Sequence, residues 1–128
     1  MTEPSQARPP SRLLAVLFGL GALAFVGAGI SHVVRGLAQD PGDTSGPGRH
    51  LLFVVIDALA AVGLVLRPRW LVLPFALLTL QQLGTHGGRA LAALQSGGAL
   101  RADDVAVAVG MPVLLGLLIY EARLPRSE

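Results

Sequence analysis

The chain has 128 residues, of which 52% are hydrophobic and only 14% are charged. Soluble domains are about one quarter charged, so this composition excludes an ordinary water-soluble domain and indicates a membrane protein. The length allows one domain, and the absence of cysteine excludes a disulfide framework, cysteine-ligated zinc and thiol catalysis.

Apolar segments that are long enough to cross a bilayer predict four transmembrane helices. The first is interpreted as a span and not as a cleaved signal peptide, because its apolar run continues to His32 and further spans follow. A disordered cytoplasmic tail is expected at residues 1–12 and a short tail at 124–128, with a single membrane domain at 13–123 between them. The predicted spans are residues 13–36, 50–66, 70–94 and 103–123.

Turn and kink signals separate or interrupt these spans. The stretch Gln39–Gly48 is rich in Gly, Pro and Asp and predicts a loop. Gly87-Gly88 is expected to kink or loosen the third helix, and Pro112 to kink the fourth by removing a backbone hydrogen bond. Either Asp103 or Asp104 is expected to cap the fourth helix, since a carboxylate accepts the free N–H groups of a first turn.

The arginines suggest the orientation in the membrane. Four spans place both termini on one side, and that side carries six of the ten arginines. Because cytoplasmic segments are enriched in positive charge, both termini are predicted to be cytoplasmic, in a multi-pass protein of the plasma (inner) membrane. The arginines stand at segment ends and form no patch interleaved with aromatic residues, so nucleic acid is not an expected partner.

A short motif occurs twice, once at the far end of the first span and once at the far end of the third. Ser31-His32-Val33-Val34-Arg35-Gly36-Leu37-Ala38 matches Thr85-His86-Gly87-Gly88-Arg89-Ala90-Leu91-Ala92 in a hydroxyl residue, His, Arg, a small residue, Leu and Ala. Such a repeat suggests one unit used twice. The sequence therefore predicts an all-α four-helix transmembrane bundle of two like-oriented helical hairpins. In that arrangement His32 and His86 are expected to approach each other.

Polar residues within the spans are the candidate site residues. Asp57 stands alone in the second span, where a carboxylate costs about 2.5–3.5 kcal/mol to insert and needs a partner, a proton or a function. One stripe of the third helix, which should face the bundle interior, consists of Phe75, Thr79, Gln82, His86 and Arg89. Of the polar residues, His32, Asp57, Gln82 and His86 fall in the half of the bilayer away from the termini. Arg35 and Arg89 follow the two motif histidines by three residues.

Three kinds of site fit this set. His32 and His86 are able to ligate a haem iron, with Arg35 and Arg89 pairing its propionates. Alternatively, both histidines and Asp57 form a two-His-one-carboxylate metal set. In the third alternative the His and Arg groups and Gln82 hydrogen-bond a quinone or another polar headgroup.

Structural roles compete with each of these readings. Arginines at these positions commonly snorkel to the headgroups. The histidines then bridge helices, Thr79, Gln81 and Gln82 supply interhelical hydrogen bonds, and Asp57 forms a structural ion pair. On this reading no cofactor is required, and binding of any redox cofactor remains the less favoured outcome.

The first span contains the segment Gly27-Ala28-Gly29-Ile30-Ser31-His32, the second span carries an acidic residue and the third span is polar. In these features the chain resembles the DoxX-like group of small bacterial membrane proteins. The resemblance covers the four spans in outline and implies an association with quinone-linked or other redox complexes of the membrane. The leading functional prediction is thus an accessory or ligand-binding subunit of a quinone-linked redox system, without catalytic activity of its own. The alternatives are a non-catalytic structural or partner-binding protein and a small transporter, in each case as a homo-oligomer or part of a larger membrane complex.

Overall fold

The computed structural model describes residues 12–38 and 46–125. Most of each predicted tail, at 1–12 and 124–128, and most of the first predicted loop lie outside these ranges. Arg12, which the sequence assigned to the N-terminal tail, is instead the first residue of the first helix.

The described residues form helices and turns, and no strand occurs among them, so the all-α prediction is confirmed. A 3-10 turn at Arg69–Leu71 leads into the third helical stretch, and a π-helical segment at Leu83–Gly87 lies within that stretch. The α-helices are α1 (Arg12–Ala38), α2 (Pro47–Leu66), α3 (Val72–Gln82), α4 (Gly88–Ser96) and α5 (Ala102–Ala122).

The third helical stretch is continuous. Leu83, which follows α3, has φ −62° and ψ −40°, and Gly88, which begins α4, has φ −60° and ψ −42°. Both are helical values, so α3, the π-helical segment and α4 form one uninterrupted helix. The loosening expected at Gly87-Gly88 takes the form of a widened π turn that begins four residues before that pair.

Three helices, α1, α2 and α5, are long and apolar enough to cross a membrane, with mean hydropathies of 2.4, 2.0 and 2.0. Large aliphatic side chains lie on their outer faces, among them Leu23, Leu59 and Val109, each at least 60% exposed. Exposing so much apolar surface to water is unfavourable, whereas contact of this surface with lipid tails carries no such cost. The fold is thus that of a helical membrane protein.

Left-handed residues end two of the helices. Arg67 follows α2 with φ 50°, and its N–H donates to the carbonyl of Gly63 at 2.7 Å. Gly97 follows α4 with φ 67°, and the N–H of Gly98 donates to the carbonyl of Ala93 at 2.8 Å. The second arrangement is a Schellman motif, in which glycine adopts the left-handed conformation without a Cβ penalty.

The chain divides into two compact units, which lie within Pro10–Arg67 and Pro68–Glu128. We call the first, formed by α1 and α2, the N-terminal hairpin. We call the second, in which α5 packs against α3 and the π-helical segment, the C-terminal hairpin. Each unit is a helical hairpin by itself, as the repeated motif predicts.

In the N-terminal hairpin, two glycines of α1 let the backbones approach closely. A Cβ on Gly29 would lie 3.5 Å from Cβ of Asp57, and a Cβ on Gly36 would lie 3.2 Å from Cβ of His50. The two glycines are seven residues apart, as are Asp57 and His50, so the contacts recur every two turns of each helix. His32 lies on α1 between the two close approaches.

In the C-terminal hairpin, Phe75 and Thr79 of the predicted stripe are buried on α3. Thr79 Oγ1 donates to the carbonyl of Phe75 at 2.8 Å, and Gln81 Nε2 donates to Thr85 Oγ1 at 3.3 Å. Both bonds lie within one helix, so the expectation that these side chains link helices is wrong for Thr79 and Gln81. A hydroxyl or amide in an apolar segment is satisfied most easily by the turn next to it.

The predicted cap of the last helix is also wrong. The N-cap residue of α5 is Arg101, and its side chain makes no capping hydrogen bond. Asp103 and Asp104 lie in the first turn, where their charges suit the positive helix end, but their carboxylates bind Arg101 and His86. The strongest contacts of both carboxylates are thus with side chains, Arg101 for Asp103 and His86 for Asp104.

Candidate functional site: two histidine-centred clusters

The C-terminal hairpin holds a buried histidine–aspartate pair. His86 lies in the π-helical segment, and Asp104 lies in the first turn of α5. Nδ1 of His86 and Oδ1 of Asp104 are 2.7 Å apart, and the aspartate side chain is only 2% exposed. A contact this short is typical of a charge-assisted hydrogen bond, with Nδ1–H donating to the carboxylate. It fixes the orientation of the imidazole.

Two arginines approach the same carboxylate. Nη1 of Arg89 lies 3.8 Å from Oδ1 of Asp104, and Nε of Arg101 lies 3.9 Å from Oδ2. Arg101 also makes a bidentate contact with Asp103, at 2.8 and 3.1 Å. The cost of burying the Asp104 carboxylate is thus offset by the three cationic or hydrogen-donating groups that surround it. We call these residues the His86–Asp104 cluster.

The pairing determines which imidazole nitrogen remains for a ligand. Because Nδ1 is held by Asp104, Nε2 of His86 is the nitrogen that a further group can reach, and the side chain is 22% exposed. In the neutral imidazole Nε2 accepts a hydrogen bond, and in the imidazolium it donates one. Histidines held in this way by a carboxylate serve as proton donors and acceptors and as ligands.

The same cluster offers a possible set of metal ligands. One ligand atom from each of His86, Asp103 and Asp104 lies within 4.8 Å of the others. The guanidinium of Arg101 already binds Asp103 in bidentate fashion and adjoins Asp104. A metal would have to displace this cation, so the geometry fits a balanced ion-pair network better than a metal centre.

The N-terminal hairpin holds a second cluster, of two histidines and an aspartate. Nδ1 of His32 lies 3.4 Å from Nδ1 of His50, and Nε2 of His32 lies 3.9 Å from Oδ2 of Asp57. The His32 ring stacks on Phe53 with centroids 5.1 Å apart and planes inclined by 16°, and Arg49 lies over the same phenyl ring at 5.8 Å. We call this the His32–His50–Asp57 cluster.

Asp57 is the deepest member of that cluster. Its residue exposure is 4%, and Oδ2 is buried without a hydrogen-bond partner among the described residues. The cationic candidate that the structure places beside it is His32, whose Nε2 lies 3.9 Å from Oδ2, about 1 Å longer than a typical hydrogen bond. A buried carboxylate oxygen left unsatisfied is costly, which favours a partner that can move into hydrogen-bond range.

The two clusters occupy equivalent places in the two hairpins. His32 and His50 are 18 residues apart, and so are His86 and Asp104. The same 54-residue offset that relates His32 to His86 relates other buried positions of the two second helices, namely His50 to Asp104, Asp57 to Met111 and Leu64 to Leu118. The repeat therefore extends well beyond the motif. The two copies differ in the position of their buried aspartate, which is Asp57 in the first and Asp104 in the second.

The structure brings some of the predicted site residues together within each hairpin. It places His32 near Asp57, and His86 and Arg89 near Asp104. Arg35 is exposed in the last turn of α1, as a snorkelling arginine would be, and Gln82 is half-buried at the end of α3. The proximity of the two motif histidines, and with it the haem and two-His-one-carboxylate proposals, stays a prediction.

Sequence reasoning missed His50 and Asp104 as the partners of the motif histidines. His50 entered the sequence analysis only as the first residue of the span predicted at 50–66, and Asp104 only as one of two possible helix caps. The signal that would have found them is the common spacing of 18 residues from each motif histidine to a polar residue at the start of the next helix.

Comparison with known proteins gives no assignment. No protein-family model, no curated protein and no solved structure matches the chain. The function is therefore argued from the two clusters.

Proposed function

We propose that the protein crosses the membrane four times, with the continuous helix from Val72 to Ser96 as its third span. These 25 residues measure about 37 Å at the rise of an α-helix, which exceeds a ~30 Å hydrocarbon core. The outer face of α3 carries Leu73, Leu77 and Leu80, each more than 60% exposed, as a lipid-facing helix requires. The polar residues of α4 then lie at the headgroup level.

The excess of arginine on one side supports a topology with both termini in the cytoplasm and a location in the plasma membrane. On that topology the connections after α1 and α4 lie outside, and both clusters belong to the outer half of the bilayer. The four spans form a bundle of two hairpins.

Within this frame the protein is a ligand-binding or accessory subunit of a membrane redox system, and its ligand is a quinone. The observation that carries this proposal is the His86–Asp104 pair, which orients an imidazole and leaves Nε2 for a ligand. In quinone sites a donor of this kind binds the carbonyl of the oxidised headgroup and an acceptor binds the hydroxyl of the reduced one. The likeness to the DoxX-like group points in the same direction.

The cluster suits an exchange of one proton with such a headgroup. As imidazolium, His86 donates a hydrogen bond from Nε2 to a quinone carbonyl, while the negative charge of the Asp104 carboxylate stabilises the ring. As neutral imidazole, it accepts the hydroxyl proton of a quinol at the same nitrogen. Electrons come from a partner protein, since a histidine–aspartate pair has no redox chemistry of its own.

A structural role is the second candidate, and a specific observation favours it. Asp104 is surrounded by His86, Arg89 and Arg101, so the cluster satisfies its own charges and fastens α5 to the helix it packs against. A protein of this kind would act as a membrane partner or as one subunit of a homo-oligomer.

Purification in a mild detergent separates these candidates. Quinone extracted with the protein at near one per chain supports the first, and its loss in His86→Gln, with the fold retained, ties it to the cluster. A preparation without quinone, haem absorption or stoichiometric metal supports the structural role and contradicts the redox proposal.

A further inference from the structure

We infer that the N-terminal hairpin is a proton-transfer path, in which His50 and His32 pass a proton to a buried acceptor, the carboxylate of Asp57. This site belongs to the other hairpin and needs no quinone, so it stands apart from the ligand-binding proposal. The observations that carry it are the order of three titratable side chains and the unsatisfied oxygen at the end of the series.

The three side chains are arranged in series along the hairpin. His50 lies in the first turn of α2 and Asp57 lies seven residues further on, about 10 Å deeper at the helical rise. His32 reaches in from α1 and uses opposite edges of its ring, with Nδ1 toward His50 and Nε2 toward Asp57. An imidazole placed in this way joins a donor to an acceptor that are too far apart to meet.

The packing around the path holds its geometry. Stacking on Phe53 keeps the His32 ring in one plane, while Gly29 and Gly36 allow α1 to lie close enough for the ring to reach both neighbours. A shift of about 1 Å brings Nε2 of His32 within hydrogen-bond range of Oδ2 of Asp57. The path is thus almost closed at its inner end.

The transfer balances in protons and charge. The imidazolium of His50 gives its Nδ1 proton to Nδ1 of neutral His32, and the Nε2–H of His32 passes to Oδ2 of Asp57. His50 becomes neutral, His32 remains neutral in its other tautomer, and the carboxylate becomes a carboxylic acid. Net transfer is one proton from the end of the hairpin to a site two turns inside it, and a tautomer exchange resets His32.

Other charged groups of the hairpin frame the path without blocking it. Arg49 lies over Phe53, and Arg35 is exposed one turn beyond His32. The equivalent position of the C-terminal hairpin, 54 residues further along the chain, is Met111, which has no titratable group and is unable to accept the proton.

Time-resolved infrared spectroscopy after a light-triggered pH drop tests the inference on the purified protein in lipid nanodiscs. The carbonyl stretch of a protonated carboxyl is followed, and its absence in Asp57→Asn assigns it to this residue. We expect His32→Ala and His50→Ala each to slow its appearance by roughly 100-fold, the size of a general acid–base contribution. Added imidazole should restore much of the rate in His32→Ala.

Gln81→Ala is the control, because it removes an exposed polar side chain of the other hairpin that belongs to neither cluster, and it should leave the Asp57 rate unchanged. Circular dichroism verifies that each variant is folded, and the imidazole rescue separates a lost relay from a disturbed structure. The inference is overturned if no carboxyl band depends on Asp57, or if the band forms at the wild-type rate in both relay variants. An imidazole-insensitive slowing in His32→Ala also contradicts it.

Discussion

Replacing Asp104 by Asn tests whether the His86–Asp104 cluster holds the C-terminal hairpin together. The carboxylate is 2% exposed and 2.7 Å from the imidazole, and a buried hydrogen bond between charged groups contributes about 1.5–3 kcal/mol to the free energy of unfolding. Loss of one partner from a fully buried pair costs more, about 3–5 kcal/mol. Because His86 is partly exposed and can become neutral, we expect the lower range for Asp104→Asn.

Asp103→Asn is the matched control in the adjacent position. Asp103 also binds an arginine at 2.8 Å, but the two side chains are 49% and 61% exposed, so solvent screens the pair and its loss should cost about 0–1 kcal/mol. Reversible unfolding in mixed micelles measures both variants. A double-mutant cycle with His86→Gln should give a coupling of about 0.5–3 kcal/mol. Equal losses for the two aspartates, or full additivity with His86→Gln, would refute the argument.

Three further predictions concern the packing and the topology. Gly36→Ala should lower the midpoint of thermal unfolding more than Gly29→Ala, because its new Cβ meets a neighbouring Cβ at 3.2 Å and not at 3.5 Å; equal midpoints would contradict the close approach. Leu64→Ala should cost about 2–5 kcal/mol because this side chain is fully buried, whereas Leu66→Ala, at a 70% exposed site, should cost much less when unfolding is measured in micelles. A periplasmic reporter enzyme fused to the C-terminus should be inactive, and an active fusion would overturn the cytoplasmic assignment.

The helices were predictable because their cause is local. A long apolar run must satisfy its backbone within the segment, so hydropathy alone indicates helices near residues 13–36, 50–66, 70–94 and 103–123. The widened turn at Leu83–Gly87 was foreseen only as a loosening near two glycines. Its start and its π geometry depend on how α5 packs against it, which no local pattern encodes.

The partners of the histidines were harder to predict because they depend on the register between helices. The sequence analysis grouped Asp57 with both motif histidines, since a carboxylate alone in a span needs a partner, and the structure places His32 near it at 3.9 Å. Asp104 was predicted as a possible cap for the backbone N–H groups, because the capping rule depends only on local sequence. Its observed partner, the imidazole of His86, belongs to another helix. The register follows from close approaches such as that at Gly36, where His50 is brought beside α1.

The most direct test of the proposed function is a binding titration with a short-chain, water-soluble quinone. The purified protein should bind it at one site, Asp104→Asn should raise the Kd at least tenfold, or about 1.4 kcal/mol, and Asp103→Asn should leave it unchanged. Absence of binding by the wild-type protein, or the same Kd for all three proteins, would contradict a ligand site built on His86 and Asp104.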